Sequence, residues 1–284
     1  MRRGGGRLTR MEITSRTEPA DERLGALPDS VLRYARELAV LADRHYGAAL
    51  HGVYLHGSAG FGHFVARSSD LDVLIVIGET DASPETFFET VRETPRPREL
   101  LALECSVLDR DDLGAAGLHR PFRFHFTLDD KRQRFVPGTG FDDPDLVLHF
   151  AVCGQAGLAL KGPPAHETFP MPHRSLVLQA LTRELEWAWD NGDWVYAALN
   201  AARAWRYAAE SALSSKVGGW LWARSRVAEP EYLDRALSAY LVGRDEHRVP
   251  APAMPGFETW VRDLLQEVLD RVRAAAAVGS LGAS

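Results

Sequence analysis

The spacing of hydrophobic residues divides the chain into two parts. In the first part, apolar residues form short, nearly continuous runs that predict buried strands at His51–His56, Leu71–Ile77 and Leu100–Leu108. Apolar residues at helical spacing predict one helix capped by Asp29 or Ser30 and a second helix around Pro84–Val91. Strands that alternate with helices predict an α/β domain built on a mixed sheet.

A hairpin and a helix are predicted to complete this part. Alternating aromatic and polar residues from 121 to 136 predict a β-hairpin that turns at Asp129 and Asp130. A helix is predicted from about Asp142 to Gly162. The densest group of helix breakers in the chain begins at Gly162 and continues to Pro172, so we expect a domain boundary near residue 170.

The second part of the chain has only helical periodicity. Apolar residues recur at spacings of three and four in segments 173–190, 194–214, 230–242 and 256–277. This pattern predicts an all-α helical bundle. The predicted organisation is therefore a disordered tail at 1–24, an α/β domain at 25–170 and a helical bundle domain at 171–284.

Composition limits the possible functions. The chain has 284 residues, of which 45% are hydrophobic, yet no run approaches the roughly 18 apolar residues of a membrane span. A net charge of -6 argues against a nucleic-acid partner bound through a basic face. The basic N-terminus has no apolar stretch behind it, and two cysteines make neither a disulfide framework nor a zinc cluster. We expect a cytoplasmic protein with no membrane association.

The most informative motif joins a Gly-Ser pair to two acids. Gly57 and Ser58 close the first predicted strand, where backbone amides and a hydroxyl are able to approach a phosphate. Twelve residues later, Asp70 and Asp72 stand two apart at the start of the second strand, so both carboxylates point the same way. Carboxylates that close together repel each other unless a cation lies between them, and their hard oxygens suit Mg²⁺ in a phosphate-transfer site.

Glu104 adds a third acid. It interrupts the otherwise apolar strand Leu100–Leu108, where an unpaired carboxylate costs several kcal/mol unless it faces a cleft or a partner. A neighbouring strand bearing Asp70 and Asp72 would bring the three acids to one site. The predicted role of Glu104 is metal ligand or general base. Either half of the motif alone is weak, whereas the joint pattern is typical of a nucleotidyltransferase.

These residues resemble the DNA polymerase β-like nucleotidyltransferase superfamily and, within it, the aminoglycoside (3'')(9) adenylyltransferases. The resemblance extends over residues from about 30 to 275. Beyond the acidic motif, it includes the Gly-Pro segment at 162–165, the Arg-x-Trp helix at 200–205, the lysine that follows at 216 and the Ala-Tyr-Leu helix at 239–241.

The resemblance implies an enzyme that uses ATP as co-substrate and Mg²⁺ as cofactor. It implies that Ser58 and Ser69 bind the ATP phosphates, that Asp70 and Asp72 hold magnesium, and that Glu104 is the catalytic base. Further residues take roles from the helical part: Arg203 and Lys216 at the triphosphate, Tyr240 near the adenine and Asp193 at the acceptor.

The implied reaction is transfer of AMP to a hydroxyl of an aminoglycoside or aminocyclitol such as streptomycin or spectinomycin, with release of pyrophosphate. The alternative is a nucleotidyltransferase of the same fold that acts on another small molecule, a protein or an RNA. The acidic balance of the chain weighs against RNA. We expect a monomer, because the cleft lies within one chain.

The acceptor residues are the least determined part of the prediction. Trp187, Trp189, Asp190 and Asp193 lie in an acidic and aromatic segment suited to a polycationic ligand. The two tryptophans either face the acceptor or pack in the core of a helix. Similarly, His125 and its phenylalanine neighbours either line the acceptor pocket or pack at the sheet edge, and the second interpretation is favoured.

Overall fold

The computed structural model describes residues 19–115, 117–138, 143, 145–242 and 254–280. Six strands form one sheet: β1 (Leu50–Leu55), β2 (Leu71–Ile77), β3 (Leu103–Asp109), β4 (Phe124–Leu128), β5 (Gln133–Pro137) and β6 (Leu158–Lys161). The helices of the first part are α1 (Ala20–Gly25), α2 (Asp29–Tyr46), α3 (Gly57–Gly60), α4 (Pro84–Glu93), α5 (Leu146–Ala156) and α6 (Ala165–Thr168). Those of the second part are α7 (Arg174–Asn191), α8 (Trp194–Glu210), α9 (Lys216–Ala223), α10 (Pro230–Val242) and α11 (Phe257–Ser280).

The sheet is mixed, as predicted. Its strand order is β5-β4-β3-β2-β1-β6, and β2 pairs with β3 in parallel while the other neighbours are antiparallel. The helix α4 makes the crossover between the two parallel strands. The predicted hairpin is present as β4 and β5.

Side-chain alternation gives the sheet two different faces. One face is wholly apolar and packs against α2 and α4; it contains residues such as Val73, Cys105 and Phe126. On the other face, Leu74 and Leu108 belong to the apolar cluster beneath α5. The next residues toward one end of this second face are polar, and Asp72 and Glu104 are among them. The α5 helix thus covers only part of the second face and leaves the acids open to a cavity.

Helix α5 connects the two parts of the protein. Its residues Leu146 and Phe150 pack on the sheet, whereas Val147 and Ala151 pack with the helices of the second part. Eight of its eleven residues are buried, as expected for a helix that is apolar on all sides. The domain boundary near residue 170 remains a prediction, because the core of the helical part includes α5.

Three local predictions differ from the structure. The helix predicted to reach Gly162 ends at Ala156, because Gly157 has an extended backbone conformation with φ -63° and ψ 148°, and the chain continues as strand β6 beside β1. Asp29 begins α2 instead of capping it, since Pro28 is the N-cap. The segment 194–214 is helical only to Glu210, and a separate short helix, α9, follows.

Part of the predicted tail is ordered. Residues 1–18 lie outside the described residues, but Ala20–Gly25 forms α1, in which Arg23 is buried. The Arg23 guanidinium donates hydrogen bonds to the carbonyl oxygens of Gly60 and Ala156. This arginine therefore joins the Gly-Ser turn to the end of α5.

Two further predictions bear on the class of protein. Among the helices that the structure describes, none is both long and apolar enough to cross a membrane. Cys105 and Cys153 are both buried and free, as expected from a sequence without a disulfide framework. Burial raises the pKa of each thiol, so both remain protonated and unreactive.

Candidate active site

A cavity of about 730 Å³ lies between the open part of the sheet face and the helices of the second part. Its volume is in the range of small-molecule sites. All of the predicted nucleotide and catalytic residues line it: Gly57, Ser58, Ser69, Asp70, Asp72, Glu104, Arg203, Lys216 and Tyr240. The structure thus brings together residues that are up to 183 positions apart in the sequence, from Gly57 to Tyr240.

Strand register places two of the three acids side by side. Asp72 on β2 pairs directly with Glu104 on β3, so their side chains project from the same face of neighbouring strands roughly 5 Å apart. Asp70 lies just before β2, whose first residue, Leu71, donates its N–H to the carbonyl oxygen of Ala102 at 2.8 Å. The three carboxylates share one cavity wall.

The two neighbouring acids raise the pKa of Asp72. The pKa of Asp72 is raised well above its ordinary value, first by burial and then by the negative charges of Glu104 and Asp70. The positive charges of Lys216 and Arg203 act in the opposite direction. An added cation would therefore stabilise the charged form of this carboxyl.

The Gly-Ser turn fits closely around Asp72. Gly57 has a φ of +57°, and a side chain there would lie 1.9 Å from the Asp72 Oδ2 atom, so both the conformation and the space require glycine. The next residue, Ser58, has a buried Oγ atom with no hydrogen-bond partner among the described residues. A buried hydroxyl without a partner at the start of a turn is well suited to bind a ligand oxygen.

Tyr240 connects helix α10 to the loop before β2. The Ser68 hydroxyl donates to the Tyr240 carbonyl oxygen at 2.7 Å, and the Ser69 Oγ lies 3.2 Å from the Tyr240 hydroxyl. Ser69 Oγ also accepts the backbone N–H of Val65 at 3.0 Å. Ser69 and Tyr240 therefore lie together in the cavity wall.

The two predicted triphosphate residues face the acids from the helical part. The Lys216 ammonium lies 4.8 Å from the ring centre of Tyr196 and 5.4 Å from that of Tyr240. The Arg203 guanidinium donates to the Ser214 carbonyl oxygen at 2.9 Å and to Asn200 Oδ1 at 2.7 Å. It also lies 3.8 Å from the carboxylate of Glu184.

The donor chemistry of the wall suits a divalent cation. Asp70, Asp72 and Glu104 supply only oxygen ligands, and their mutual repulsion is the kind that a hard cation relieves. Within the described part of the chain, however, no three acidic, histidine or cysteine side chains are already arranged as a metal-ligand set.

Comparison with known proteins agrees with this site. Residues 170–255 match the family described as "Aminoglycoside adenylyltransferase, C-terminal domain". This part of the chain is therefore similar to the C-terminal domain of aminoglycoside adenylyltransferases, and the resemblance predicted from the sequence is confirmed for it. A search of curated proteins found no match.

The fold of the whole chain is also that of such a transferase. The crystal structure of spectinomycin adenyltransferase AAD(9) from Enterococcus faecialis, determined with ATP and spectinomycin, superposes with a TM-score of 0.64. The match covers 85% of this chain and 98% of that chain, at 16% sequence identity. The prediction of a nucleotidyltransferase domain followed by a helical domain is confirmed at the level of the fold.

The structure separates the four predicted acceptor residues: Trp187 and Asp193 line the cavity, whereas Trp189 and Asp190 do not. Trp187 lines the cavity and is 54% exposed, with its ring 5.6 Å from that of Tyr196. Trp189 instead faces Arg262, which lies 5.1 Å from its ring centre and 4.5 Å from that of Trp194. Trp189 and Asp190 are not among the described residues that line the cavity.

Asp193 lines the cavity but also has a structural role. Its carboxylate accepts the backbone N–H of Tyr196 at 3.1 Å and so caps helix α8. Glu184 is also a cavity residue: it accepts a hydrogen bond from the Tyr196 hydroxyl at 3.0 Å in addition to its contact with Arg203. Acceptor roles for Trp187, Trp189, Asp190 and Asp193 remain predictions.

Several cavity residues were not predicted from the sequence. They are His56, His63, Asp143, Asp145, His149 and Arg183, together with His125, for which packing at the sheet edge was favoured. Alternation along β4 was the available signal, because Phe124 and Phe126 are buried on the apolar face and His125 must point the other way. His149 and Asp145 had no such signal, since only the position of α5 on the sheet brings them to the cavity.

Proposed function

We propose that this protein is a Mg²⁺-dependent O-adenylyltransferase that transfers AMP from ATP to a hydroxyl of an aminoglycoside or aminocyclitol, such as spectinomycin or streptomycin. One observation carries the proposal: Asp72, Glu104, Ser58, Lys216 and Arg203 line a single cavity in a chain whose residues 170–255 match the C-terminal domain of aminoglycoside adenylyltransferases. The similar structure from Enterococcus faecialis holds ATP and spectinomycin, which supports both partners.

Glu104 is proposed as the general base. Its carboxylate takes the proton of the acceptor hydroxyl, the hydroxyl oxygen forms a bond to the α-phosphorus, and the bond from that phosphorus to the bridging oxygen breaks. Pyrophosphate leaves with the electron pair of the broken bond. Arg203 and Lys216 supply positive charge to the phosphates, and Ser58 and Ser69 donate hydrogen bonds to their oxygens.

Asp70 and Asp72, with Glu104 as a further ligand, are the residues that would hold Mg²⁺. When bound there, the ion supplies positive charge to the phosphoryl oxygens and orients them. The raised pKa of Asp72 supports this assignment, because burial beside two other acids is unfavourable without a compensating cation.

Pyrophosphate release is the direct test. The protein is incubated with ATP, Mg²⁺ and a panel of aminoglycosides and aminocyclitols, and the same reactions are run with Glu104→Gln. We expect release with at least one acceptor, and a loss of kcat of about 10²–10⁴-fold in the variant, because the amide cannot accept the proton. ATP binding, measured by calorimetry, should persist in the variant.

The outcomes separate the alternatives. No release with any member of the panel, alongside measurable ATP binding, would remove the antibiotic assignment and favour a different acceptor. Unchanged kcat in Glu104→Gln would contradict the role of the base. The expected monomer remains a prediction, which size-exclusion chromatography checks.

A further inference from the structure

One cavity side chain, that of Tyr196, lies between the two cations proposed to bind the triphosphate. Tyr196 belongs to the first turn of helix α8 and lines the cavity. Its ring centre lies 4.8 Å from the Lys216 ammonium, and its hydroxyl donates a hydrogen bond to Glu184 Oε1 at 3.0 Å. Glu184 in turn lies 3.8 Å from the guanidinium of Arg203. A single phenol thus contacts Lys216 directly and is connected to Arg203 through one carboxylate.

The ring of Tyr196 holds Lys216 without reducing its charge. The ammonium lies over the rings of Tyr196 and Tyr240, at 4.8 Å and 5.4 Å from their centres. This attraction comes from the quadrupole of an aromatic ring, which has no net charge. The positive charge of Lys216 still acts on the acids of the cavity, since it lowers the pKa of Asp72. The ring therefore fixes the position of the ammonium and leaves its charge intact.

Neutral acceptors orient the guanidinium of Arg203. Its Nε donates to the Ser214 carbonyl oxygen at 2.9 Å, and its Nη1 donates to Asn200 Oδ1 at 2.7 Å. A guanidinium has several N–H donors in one plane, so two such bonds fix its orientation without using all of them. The carboxylate of Glu184, at 3.8 Å, lies beyond hydrogen-bond length from this guanidinium. It therefore attracts Arg203 without taking one of its donors.

The hydroxyl of Tyr196 keeps the Glu184 carboxylate at this distance. Burial and the charge of Glu184 raise the pKa of Tyr196 well above its ordinary value, so the phenol keeps its proton and donates it. The other carboxylate oxygen, Glu184 Oε2, is buried and has no hydrogen-bond partner among the described residues. Without the phenol, this carboxylate would satisfy its oxygens by bonding to Arg203. It would then compete with phosphate oxygens for the same donors.

From these contacts we infer that Tyr196 is a positioning residue for nucleotide binding. Its ring holds Lys216 in place. Its hydroxyl holds Glu184 away from Arg203, so that the arginine is available to the triphosphate. This inference rests on the proposed function, because it takes Arg203 and Lys216 as the residues that bind the phosphates.

Calorimetric titration of the full chain with Mg²⁺-ATP tests the role of the hydroxyl through a cycle of two substitutions. Tyr196→Phe removes only the hydroxyl, and Glu184→Gln removes the charge that competes with the phosphates. We expect Tyr196→Phe to raise the ATP Kd about ten-fold, which corresponds to one hydrogen bond to a charged group. Glu184→Gln alone should lower the Kd. In the Glu184→Gln protein, Tyr196→Phe should change the Kd by less than about two-fold, because no charged acid remains to engage Arg203.

The role of the ring is tested by a second cycle. Tyr196→Leu removes the ring together with the hydroxyl, so its ATP Kd should rise several-fold beyond that of Tyr196→Phe. In a Lys216→Met protein, Tyr196→Leu and Tyr196→Phe should have the same Kd, because there is no ammonium for the ring to hold.

Tyr232→Phe is the matched control. It also removes a tyrosine hydroxyl from the helical part, one that donates to the Pro255 carbonyl oxygen at 3.0 Å. Tyr232 is not among the described residues that line the cavity. Its ATP Kd should stay within about two-fold of wild type. Thermal unfolding is recorded for every variant, so that a change in Kd caused by loss of the fold is recognised.

Each result decides the inference. An unchanged ATP Kd in Tyr196→Phe would overturn it. An equal rise from Tyr196→Phe with and without Glu184→Gln would also overturn it, because the hydroxyl would then not act through Glu184. Equal Kd values for Tyr196→Phe and Tyr196→Leu would overturn the role of the ring. In all three cases wild type still binds ATP and the proposed function stands, whereas a wild type that does not bind Mg²⁺-ATP would contradict the proposed function and the inference with it.

Discussion

His125 and Asp72 lie on the same face of the sheet and respond to burial in opposite ways. The carboxyl of Asp72 has a raised pKa, and the imidazole of His125 has a pKa lowered from 6.5 to about 4. Both shifts have the same first cause, because desolvation disfavours whichever form is charged. Burial in the cavity therefore keeps the imidazole of His125 neutral, whereas a bound cation would stabilise the charged form of Asp72.

The His125 shift predicts a loss of stability in acid. The unfolded chain binds this proton near pH 6.5 and the folded chain only near pH 4, so the contribution of His125 is complete above pH 6.5 and is lost as the pH falls to about 4. A shift of this size corresponds to about 3 kcal/mol. In His125→Gln, the decrease in unfolding free energy between pH 7 and pH 4 should be smaller by this amount, as measured by urea denaturation.

The matched control for this measurement is His166→Gln, because the side chain of His166 is 72% exposed. It should follow the wild-type pH dependence. A His125→Gln protein with the same acid sensitivity as wild type would mean that His125 is not held neutral in the fold.

At the scale of elements, the N-terminus of helix α9 positions the side chain of Lys216. Ser215 caps α9, and its Oγ accepts the backbone N–H of Gly218 at 3.0 Å. The same Oγ lies 2.6 Å from the Nδ1 of His63, which belongs to the loop after the Gly-Ser turn. Lys216 is the first residue of the capped helix. One hydroxyl therefore joins the helix that carries Lys216 to the sheet domain.

Ser215→Ala should affect both stability and nucleotide binding. Loss of the cap lowers the unfolding free energy by about 1–2 kcal/mol. Because the link to His63 is lost as well, Lys216 is less well held, and we expect ATP KM to rise several-fold. Denaturant unfolding and steady-state kinetics measure the two effects.

Ser83→Ala provides the comparison, since Ser83 caps α4 on the opposite side of the sheet by accepting the N–H of Thr86 at 3.2 Å. It should lose a similar stability, about 1 kcal/mol, without a change in ATP KM. If both variants have wild-type ATP KM, the cap of α9 does not position Lys216.

At the scale of the whole molecule, charge is divided between the two parts of the chain. The sheet contributes Asp70, Asp72 and Glu104, whereas the helical part contributes Arg203 and Lys216. The phosphates of a bound nucleotide would neutralise the basic residues, and its metal ion would neutralise the acids. Binding should therefore stabilise the packing of the two parts against each other as well as the site itself.

This predicts a large ligand-linked stabilisation. With free Mg²⁺-ATP at 100 times its Kd, the unfolding free energy of wild type should rise by about 2.7 kcal/mol. Lys216→Met should show a much smaller rise at the same concentration, because its Kd is higher. Lys161→Met is the control: Lys161 lies on β6 and pairs with Asp43 at 2.8 Å. Equal stabilisation of all three proteins, measured by thermal unfolding, would exclude Lys216 from the nucleotide site.

Much of the fold follows from local pattern. The run Leu71–Ile77 is a strand with the predicted bounds, because it is apolar on both faces and only a central strand buries both. The predicted helix 230–242 is likewise found at Pro230–Val242. Strand β6 was not predicted, because it has only four residues and directly follows α5. So short an apolar run cannot be distinguished by its periodicity from a continuation of the helix.

The part of the cavity around Gly57, Ser58, Asp70 and Asp72 was predictable, because these residues form a motif within a short stretch of sequence. Side chains two positions apart along a strand lie on the same face. Asp70 and Asp72 are in this position, and Gly57 is required by the close approach of Asp72. The opposite side was not predictable in this way. Trp187 and Trp189 are equivalent by sequence, yet one lines the cavity and the other packs on Arg262, because helix α7 turns by about 200° over two residues.

The sequence by itself determined the mixed α/β and helical classes and most of the order of elements, and it predicted the acids that line the cavity, since each strand and helix pattern depends on spacing within one segment. Tertiary structure alone decided which strand lies beside Glu104, which face α5 leaves open and which histidines reach the cavity. The physical reason is that these depend on contacts between segments distant in sequence, such as His63 with Ser215, whose partners no local periodicity specifies.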